Sequence, residues 1–353
     1  MNVLALAVLT AAQWLTLPNL HGDGANGIFD PSLTVDERGA YWMSYSAVQP
    51  SPVEGTKLER ISTRLAISRD GGRTWRDTGA VNRSEPQKLP PPHDTLSAVW
   101  EHEVSRVLYD RYAPPNERWK LIWHRYLRVY PPGAPDSRAL FEHGWIAAKT
   151  APSPNGPWSP ERKLFTGLGY DPGDDGIIGP PEVRLDRLAG DLGRCAAFTE
   201  PGLLATRDHV YVSLRCAPAP GSEGRVVLLA CDHALKACAY RGTLLHDSEA
   251  RAFGHDLATF SATDLVESPG RMLLVVSPAT GPPGDGYRGC LFFAFDSLDD
   301  ARLRPQPVAR IDDTDARFEG ACGYVAGLAG GVFINEYVPA RPNFRIRRTG
   351  FTP

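Results

Sequence analysis

The stretch Ser68-Arg69-Asp70-Gly71-Gly72-Arg73-Thr74-Trp75 has the composition of a tight polar turn followed by an aromatic residue of the buried type. It comes directly after Ala66-Ile67, which has the character of a strand end. The Asp70 carboxylate can accept hydrogen bonds from backbone N–H groups further along the turn. The glycines tolerate positive φ, and Trp75 is placed to pin the returning strand. The stretch therefore predicts a β-hairpin, with a structural role for its turn.

Strand-and-turn units like this one recur along the whole chain. Units of this size with several short strands each are typical of propeller blades, and roughly five of them fit the length. No helical period of useful length disrupts the pattern, which disfavours a doubly wound α/β fold. We therefore predict an all-β protein, a five-bladed β-propeller of four-stranded antiparallel blades, as one domain over residues 21–353. The first strands are predicted near Ile28, Ser97, Ala197, Phe260 and Phe318, and closing strands at Gly156–Ser159 in the second unit and Phe344–Ile346 in the fifth.

The composition describes a near-neutral, turn-rich protein, with 38 Lys+Arg against 41 Asp+Glu and no basic run. Nucleic acid is therefore not an expected partner. The apolar run Val3–Ala12 ends in small residues of the sort that a signal peptidase accepts, yet no Lys or Arg precedes it. Residues 1–20 are thus either a signal peptide or a first strand. The run is too short to span a membrane.

The cysteines are even in number and never spaced as C-x-x-C, which favours disulfides over zinc or redox chemistry. Together with the N-terminal run, this indicates an extracellular or periplasmic protein; the alternative is six reduced cysteines in the cytoplasm. Connectivity stays open, and Cys231 with Cys238 is the first pair to test because both flank a short polar turn. The six are Cys195, Cys216, Cys231, Cys238, Cys290 and Cys322.

The opening stretch resembles the Asp-box of sialidase-like β-propellers over its eight residues, Ser-x-Asp-x-Gly-x-Thr-Trp. The resemblance is specific for architecture and implies no chemistry. It places Asp70 at the outer turn of a blade, away from the central channel. We therefore exclude Asp70 from the active site.

Each unit carries a carboxylate just before or within its first strand. The innermost strand of every blade lines the channel of a propeller, so these acids are expected to converge. Hydrolysis of a glycosidic bond needs one carboxylic acid to protonate the leaving oxygen and one carboxylate to activate water or attack carbon. The acids are Asp30, Glu101 or Glu103, Glu200, Asp264 and Glu319.

Two short motifs resemble the five-bladed glycosidases of family 43 and their relatives: Phe29-Asp30-Pro31-Ser32 and Thr199-Glu200-Pro201-Gly202. The resemblance implies that Asp30 is the base and Glu200 the acid, in a single displacement with inversion. The residue that tunes the pKa would be Glu103, or Glu101, where the family has Asp. Gly156-Pro157-Trp158-Ser159 also resembles a strand ending common in that family.

Alternation places Glu101 and Glu103 on one strand face, with His102 on the other. We predict Asp30, Glu103 and Glu200 as catalytic residues. The resemblance would place a calcium ion near His255, but the sequence shows no metal-ligand spacing, and we expect no metal or other cofactor. Arg64 and Arg125, with Arg288, are the arginines predicted to face a substrate. The predicted substrate-binding residues are Glu101, Asp264, Arg288 and Glu319.

The function predicted from these residues is a glycoside hydrolase that acts on a polysaccharide or oligosaccharide, as a monomer. One alternative is a non-catalytic propeller that binds a glycan or a protein. Another is a sialidase, which needs an arginine cluster for the sugar carboxylate and a Tyr nucleophile paired with Glu. The arginine-bearing opening motif of sialidases is absent from Gly27–Leu33, which places this alternative below the neutral-sugar glycosidase.

Overall fold

The computed structural model describes residues 13–15, 17, 24–49, 60–89, 94–130, 138–167, 181–281, 286–312, 319–337 and 343–353. Within these ranges the protein is almost entirely β-structure, arranged as five antiparallel blades. The inner strands of successive blades contact one another, and the inner strand of blade 5 contacts that of blade 1, so the ring is closed. This confirms the predicted five-bladed propeller.

The strands of each blade follow one another from the channel outward. Blade 1 consists of Gly27–Val35, Tyr41–Gln49, Arg60–Ser68 and Arg76–Asn82. Blade 2 consists of Ser97–Tyr109, Trp119–Tyr130, Arg138–Ala151 and Arg162–Thr166, with Glu85–Lys88 added beside its inner strand. Blade 3 consists of Cys195–Ala205, Val210–Pro218, Arg225–Cys231 and Cys238–His246.

Blade 4 consists of Thr259–Ser268, Arg271–Ala279 and Cys290–Ser297, and the last of these pairs with both Arg302–Leu303 and Ala309–Ile311. Blade 5 consists of Gly320–Gly323, Phe333–Tyr337, Phe344–Arg348 and Gln13–Trp14. The described helices are short: the α-helix Leu185–Leu188 and the 3₁₀ turns Pro115–Glu117, Leu192–Arg194 and Asp247–Ala252.

Two closing strands differ from the sequence-based expectation. In blade 2 the predicted strand Gly156–Ser159 is a turn and loop, and the closing strand is Arg162–Thr166. Pro157 and Pro160 lack the N–H that a strand ladder needs, so pairing resumes only after them. In blade 5, Phe344–Arg348 is the third strand, and the fourth is Gln13–Trp14 from the other end of the chain. The run Val3–Ala12 lies outside the described residues.

The ring closes at a seam between blades 5 and 1. Gln13 pairs with Arg348, and the Ser68–Trp75 turn joins the third and fourth strands of blade 1 beside them. Asp70 accepts hydrogen bonds from the Thr74 N–H at 2.9 Å and the Thr74 hydroxyl at 2.7 Å. The Trp75 ring packs edge-on against Phe333 of blade 5, with 5.9 Å between centroids. The turn thus stabilises both its own hairpin and the seam.

Each interface between neighbouring blades contains its own apolar core. Between blades 1 and 2, for example, the buried rings of Trp42 and Trp119 meet edge to face at 5.4 Å. Burying a large apolar side chain contributes about 1.5–3 kcal/mol. The blades are therefore held face to face, which fixes the inner strands around the channel.

All six cysteines form disulfides. Cys195 is bonded to Cys216, Cys231 to Cys238, and Cys290 to Cys322. The predicted Cys231–Cys238 pair is confirmed. The Cys290–Cys322 bond joins blade 4 to the inner strand of blade 5. In the part of the chain that the structure describes, no helix is long and apolar enough to cross a membrane.

Candidate active site

The inner strand of every blade contains a β-bulge at the same level of the channel. In each strand the pairing with the second strand shifts register, and one non-glycine residue adopts a positive φ between 48° and 55°. A bulge bends its strand and re-aims the side chains beside it. The five bulge residues are Asp30, Val104, Glu200, Ala262 and Ala321.

Side chains from the neighbouring blade hold several of these bulges. The Asp30 N–H donates to Asn335 Oδ1 at 2.9 Å, and the Ala321 N–H donates to Ser277 Oγ at 2.8 Å. The Val104 N–H donates to Ser46 Oγ at 3.3 Å. Each acceptor lies on the second strand of the preceding blade, so packing between blades fixes the backbone from which the site residues project.

Asp30 is buried and well supplied with hydrogen bonds. Its carboxylate accepts from the Ser46 hydroxyl and from Asn335 Nδ2, both at 3.2 Å. Burial, with the nearby charge of Glu103, raises the pKa of Asp30 from 3.8 to about 7, while Arg106 and the two hydrogen bonds act in the opposite direction. The carboxyl group therefore ionises near neutral pH.

Glu200 occupies the equivalent bulge position in blade 3 and is also buried. Burial, together with the charges of Asp30 and Glu103, raises the pKa of Glu200 to about 8, while Arg106 and Arg215 act in the opposite direction. Among the residues that the structure describes, its Oε2 atom has no hydrogen-bond partner. Because a buried polar atom is normally paired, this unsatisfied oxygen marks Glu200 as a candidate functional residue.

Glu103 lies one residue before the blade 2 bulge and is more accessible than Asp30 or Glu200. The Tyr126 hydroxyl donates a hydrogen bond to its Oε2. Burial raises the pKa of the Glu103 carboxyl, opposed by the Tyr126 hydrogen bond and by Arg128. Its charge in turn raises the pKa of both Asp30 and Glu200. The three predicted catalytic residues therefore lie close enough to interact.

Glu101, on the same strand face as Glu103, is fully buried and faces blade 1. Its carboxylate accepts from the Ile61 N–H at 2.5 Å, from Ser84 Oγ at 3.3 Å and from Arg128 Nε at 3.2 Å. Burial raises the pKa of Glu101 to about 8. Arg128 Nη2 donates to the Tyr126 hydroxyl at 3.3 Å. Glu101 is thus connected to Glu103 through Arg128 and Tyr126.

Arg106 was not singled out from the sequence, yet it lies at the centre of the site. It is almost fully buried on the inner strand of blade 2 and crosses to blade 4. There its Nη2 donates to Thr263 O at 3.0 Å and its Nε lies 3.4 Å from Asp264 Oδ1. Burial raises the pKa of Asp264 to about 6, and Arg106 lowers it, as it lowers those of Asp30 and Glu200.

The remaining predicted residues are each paired with a neighbouring charged residue. Glu319 is buried and accepts from Arg347 Nη2 at 2.6 Å, and half-buried Arg288 lies 3.9 Å from Asp256. Arg64 forms a bidentate pair with Asp77 inside blade 1. Arg125 is bonded to Glu161 and stacks between two tryptophans of blade 2. Arg64 and Arg125 are thus engaged within their own blades.

Tyr287 is a second residue that sequence reasoning missed. It is buried, packs against Ala262, Ala279 and Ala321, and experiences the charges of Glu200 and Asp30. No motif marks it, since it lies in a Gly- and Pro-rich connection of blade 4.

The site does not fit the calcium ion that the resemblance implies. His255 is exposed in the turn before the inner strand of blade 4. Among the residues described, no group of three or more His, Cys, Asp or Glu side chains is arranged to hold a metal ion. No step of the chemistry below is therefore routed through a metal.

Solved structures of glycoside hydrolases resemble this chain over nearly its whole length. A bifunctional GH43-CE protein of Bacteroides eggerthii matches with a TM-score of 0.52 and 15% identity, over 96% of this chain and 34% of that one. A family 117 glycoside hydrolase of Zobellia galactanivorans matches with a TM-score of 0.51 and 15% identity, over 96% and 90%. The GH32 beta-fructofuranosidase BmSUC1 of Bombyx mori matches with a TM-score of 0.50 and 12% identity, over 90% and 59%.

The fold is that of the five-bladed propeller glycoside hydrolases. This confirms, for the fold, the family 43-like resemblance that rested on Asp30-Pro31 and Glu200-Pro201. By sequence, no protein-family model and no curated protein matches the chain. The chain spans only part of the silkworm enzyme and a third of the bifunctional one, so activity must be argued from its own residues.

Proposed function

We propose that this protein is a glycoside hydrolase in which Asp30 is the general base and Glu200 the general acid. The observation that carries the proposal is the meeting of three interacting carboxyl groups, Asp30, Glu103 and Glu200, from the inner strands of three successive blades. Acid and base chemistry at one glycosidic bond requires two such groups with different proton affinities. The fold shared with glycoside hydrolases supports the same function.

The environments of the two groups support this assignment of roles. The hydrogen bonds from Ser46 and Asn335 favour the ionised form of Asp30, as a base requires. Burial raises the pKa of Glu200, as a general acid requires, and within the described ranges its Oε2 has no hydrogen-bond partner. In the proposed active form Glu200 holds the proton and Asp30 is ionised.

The other predicted residues take supporting roles in this proposal. Glu101 is fully buried and holds Arg128, which positions the Tyr126 hydroxyl on Glu103. Asp264 pairs with Arg106 beneath the carboxyl groups. Arg288 and Glu319 are proposed to bind the sugar chain at the rim. The reaction is a single displacement with inversion, by the resemblance to family 43.

The proposal is tested with Asp30→Asn and Glu200→Gln on a panel of aryl glycosides and natural oligosaccharides. Each variant should lose about 10²–10⁴-fold in kcat. Glu200→Gln should lose much less on glycosides with acidic phenol leaving groups, which need little protonation, whereas Asp30→Asn should lose equally on all. Parent-like turnover by both variants would show that the site is wrong.

The pH dependence gives an independent check on the same variants. The kcat/KM of the parent should fall below pH about 7 as Asp30 is protonated, and above pH about 8 as Glu200 loses its proton. Glu200→Gln should lose the alkaline limb. NMR detection of the first-formed anomer reports inversion or retention.

Two further aspects of the proposal rest on other observations. Three disulfides support an extracellular or periplasmic location. A non-catalytic glycan-binding propeller is the outcome if the parent binds oligosaccharides and cleaves none. The internal pairing of Arg64 and Arg125 removes two members of the arginine cluster that a sialidase would need.

A further inference from the structure

The bulge positions of the five blades are not filled alike. In blades 1 and 3 they carry carboxyl groups, but in blades 4 and 5 they carry Ala262 and Ala321. The volume left by these small residues is occupied by one ring, that of Tyr287, which packs against both alanines. A Cβ added to Gly320 would lie 2.6 Å from Tyr287 Cβ and 2.7 Å from its Cγ. Three small residues therefore make room for this tyrosine.

The backbone of Tyr287 is fixed as firmly as a strand residue. It forms a β-bridge with Ala279 at the end of the second strand of blade 4. The N–H of Arg288 donates to Pro278 O at 2.8 Å, and the N–H of Gly289 donates to Glu319 O at 2.7 Å. The backbone around Tyr287 is thus held by blade 4 on one side and by blade 5 on the other.

We propose that Tyr287 forms the wall of the sugar site opposite Asp30 and Glu200, and donates a hydrogen bond to a hydroxyl group of the sugar held between them. The inference rests on the proposed function. It adds a substrate-contacting residue from blade 4, which like blade 5 carries no acid at its bulge. Ala262, Ala321 and Gly320 are then specificity-determining, because they set how far the ring enters the channel.

The chemistry of the phenol suits this role. Burial and the charges of Glu200, Asp30 and Glu103 hold the pKa of Tyr287 well above 10, against the opposing effect of a hydrogen bond with the Ser261 side chain. The hydroxyl therefore keeps its proton across the range in which the carboxyl groups titrate, and acts as a donor. A buried site that hydrogen-bonds a sugar hydroxyl discriminates strongly against sugars that lack it.

The first test compares Tyr287→Phe with Tyr324→Phe. Tyr324 is buried on the same side of the propeller but at the other end of the channel, where it lines a pocket that Val35 and Ala205 also line. Tyr287→Phe should lower kcat/KM by about tenfold to a hundredfold with unchanged thermal stability, as expected for one lost substrate hydrogen bond. Tyr324→Phe should stay within about twofold. Equal kcat/KM for parent and Tyr287→Phe overturns the inference while leaving the glycosidase proposal intact.

A second variant tests the wall without touching the hydroxyl. Gly320→Ala should displace the ring and lower kcat/KM in the parent, but should have little further effect in Tyr287→Ala. Additive losses would overturn the inference. The same variants are titrated with a panel of neutral monosaccharides by calorimetry, so that the contact is tested even if no glycoside is cleaved. Weaker binding by Tyr287→Phe supports it; equal binding, or no binding by the parent, overturns it.

Discussion

Blades 1 and 3 share with blades 4 and 5 the same inner-strand bulge, and differ in what the bulge presents to the channel. Asp30 and Glu200 adopt φ of 54° and 52°, and Ala262 and Ala321 both adopt 49°. A left-handed backbone costs an L-residue roughly 1–2 kcal/mol. The alanines adopt this costly conformation although their side chains can take no part in catalysis. The bulge is therefore a feature of the fold. The chemistry is set by which side chains occupy it.

Arg106 of blade 2 is buried, pairs with Asp264 of blade 4 and lowers the pKa of Asp30 and Glu200, so its removal should give the largest effect. Arg106→Met would leave Asp264 ionisable without its partner, and we expect about 3–5 kcal/mol of destabilisation in urea unfolding. Asp264→Asn in the Arg106→Met background should recover part of this loss. If the free energy of unfolding of Arg106→Met alone lies within about 1 kcal/mol of that of the parent, the contact between Arg106 of blade 2 and Asp264 of blade 4 contributes little to stability.

The side chains that hold the bulges give the next test. Asn335→Ala removes the acceptor for the Asp30 N–H and a donor to its carboxylate, and kcat/KM should fall by about a hundredfold. The matched control is Ser277→Ala, which removes the same kind of acceptor from Ala321. It should lower stability by about 1–3 kcal/mol and leave kcat/KM within about fivefold. Equal losses of kcat/KM in Asn335→Ala and Ser277→Ala would contradict the distinction between the bulges that carry acids and those that carry alanine.

The smallest expected effect is a pH-dependent change in stability. Because the pKa of Asp30 is raised to about 7, the folded state binds a proton that the unfolded state releases near pH 4, and stability declines as pH rises between these values. Asp30→Asn should therefore raise Tm, relative to the parent, by about 2–4 °C more at pH 8 than at pH 4.

Asp70 provides a control of opposite sign in the same blade. Hydrogen bonds from Thr74 and Ser68 lower the pKa of Asp70, so its contribution to stability is present above pH about 4 and is lost as pH falls. Asp70→Asn should therefore lower Tm at pH 8 and approach the parent in acid. Tm is measured by calorimetry at both pH values. A shift in Tm at pH 8 of the same sign in Asp30→Asn and Asp70→Asn would contradict the environments assigned to the two carboxyl groups.

Most of the fold could be predicted because polar and apolar residues alternate along the blade strands and because Gly, Pro, Asn and Asp mark the turns. The Ser68–Trp75 turn and the strands before it depend on neighbours in sequence. Gln13–Trp14 could not be predicted, since two residues carry no period and their partner lies at the other end of the chain. Arg162–Thr166 was missed because a Pro-rich turn resembled a family motif.

The carboxyl groups of the site could be located because inner strands converge and short motifs flank Asp30 and Glu200. Arg106, Asn335 and Tyr287 could not, because each acts on a residue of another blade. Strand alternation correctly placed Glu101 and Glu103 on one face. It could not show that Glu101 faces blade 1 at Ile61, because that depends on how the blades pack.

The seam of the ring has a consequence for how the protein is made. Gln13–Trp14 finds its partner strand only once Phe344–Arg348 has been synthesised, and Arg348 then also donates to Gly72 O and Arg73 O of the Ser68–Trp75 turn. Blade 1, the first to be translated, is completed by contacts with the last. Closing so long a loop is entropically unfavourable and slow. We therefore expect the ring to close late in folding, after residues 344–348 have been synthesised.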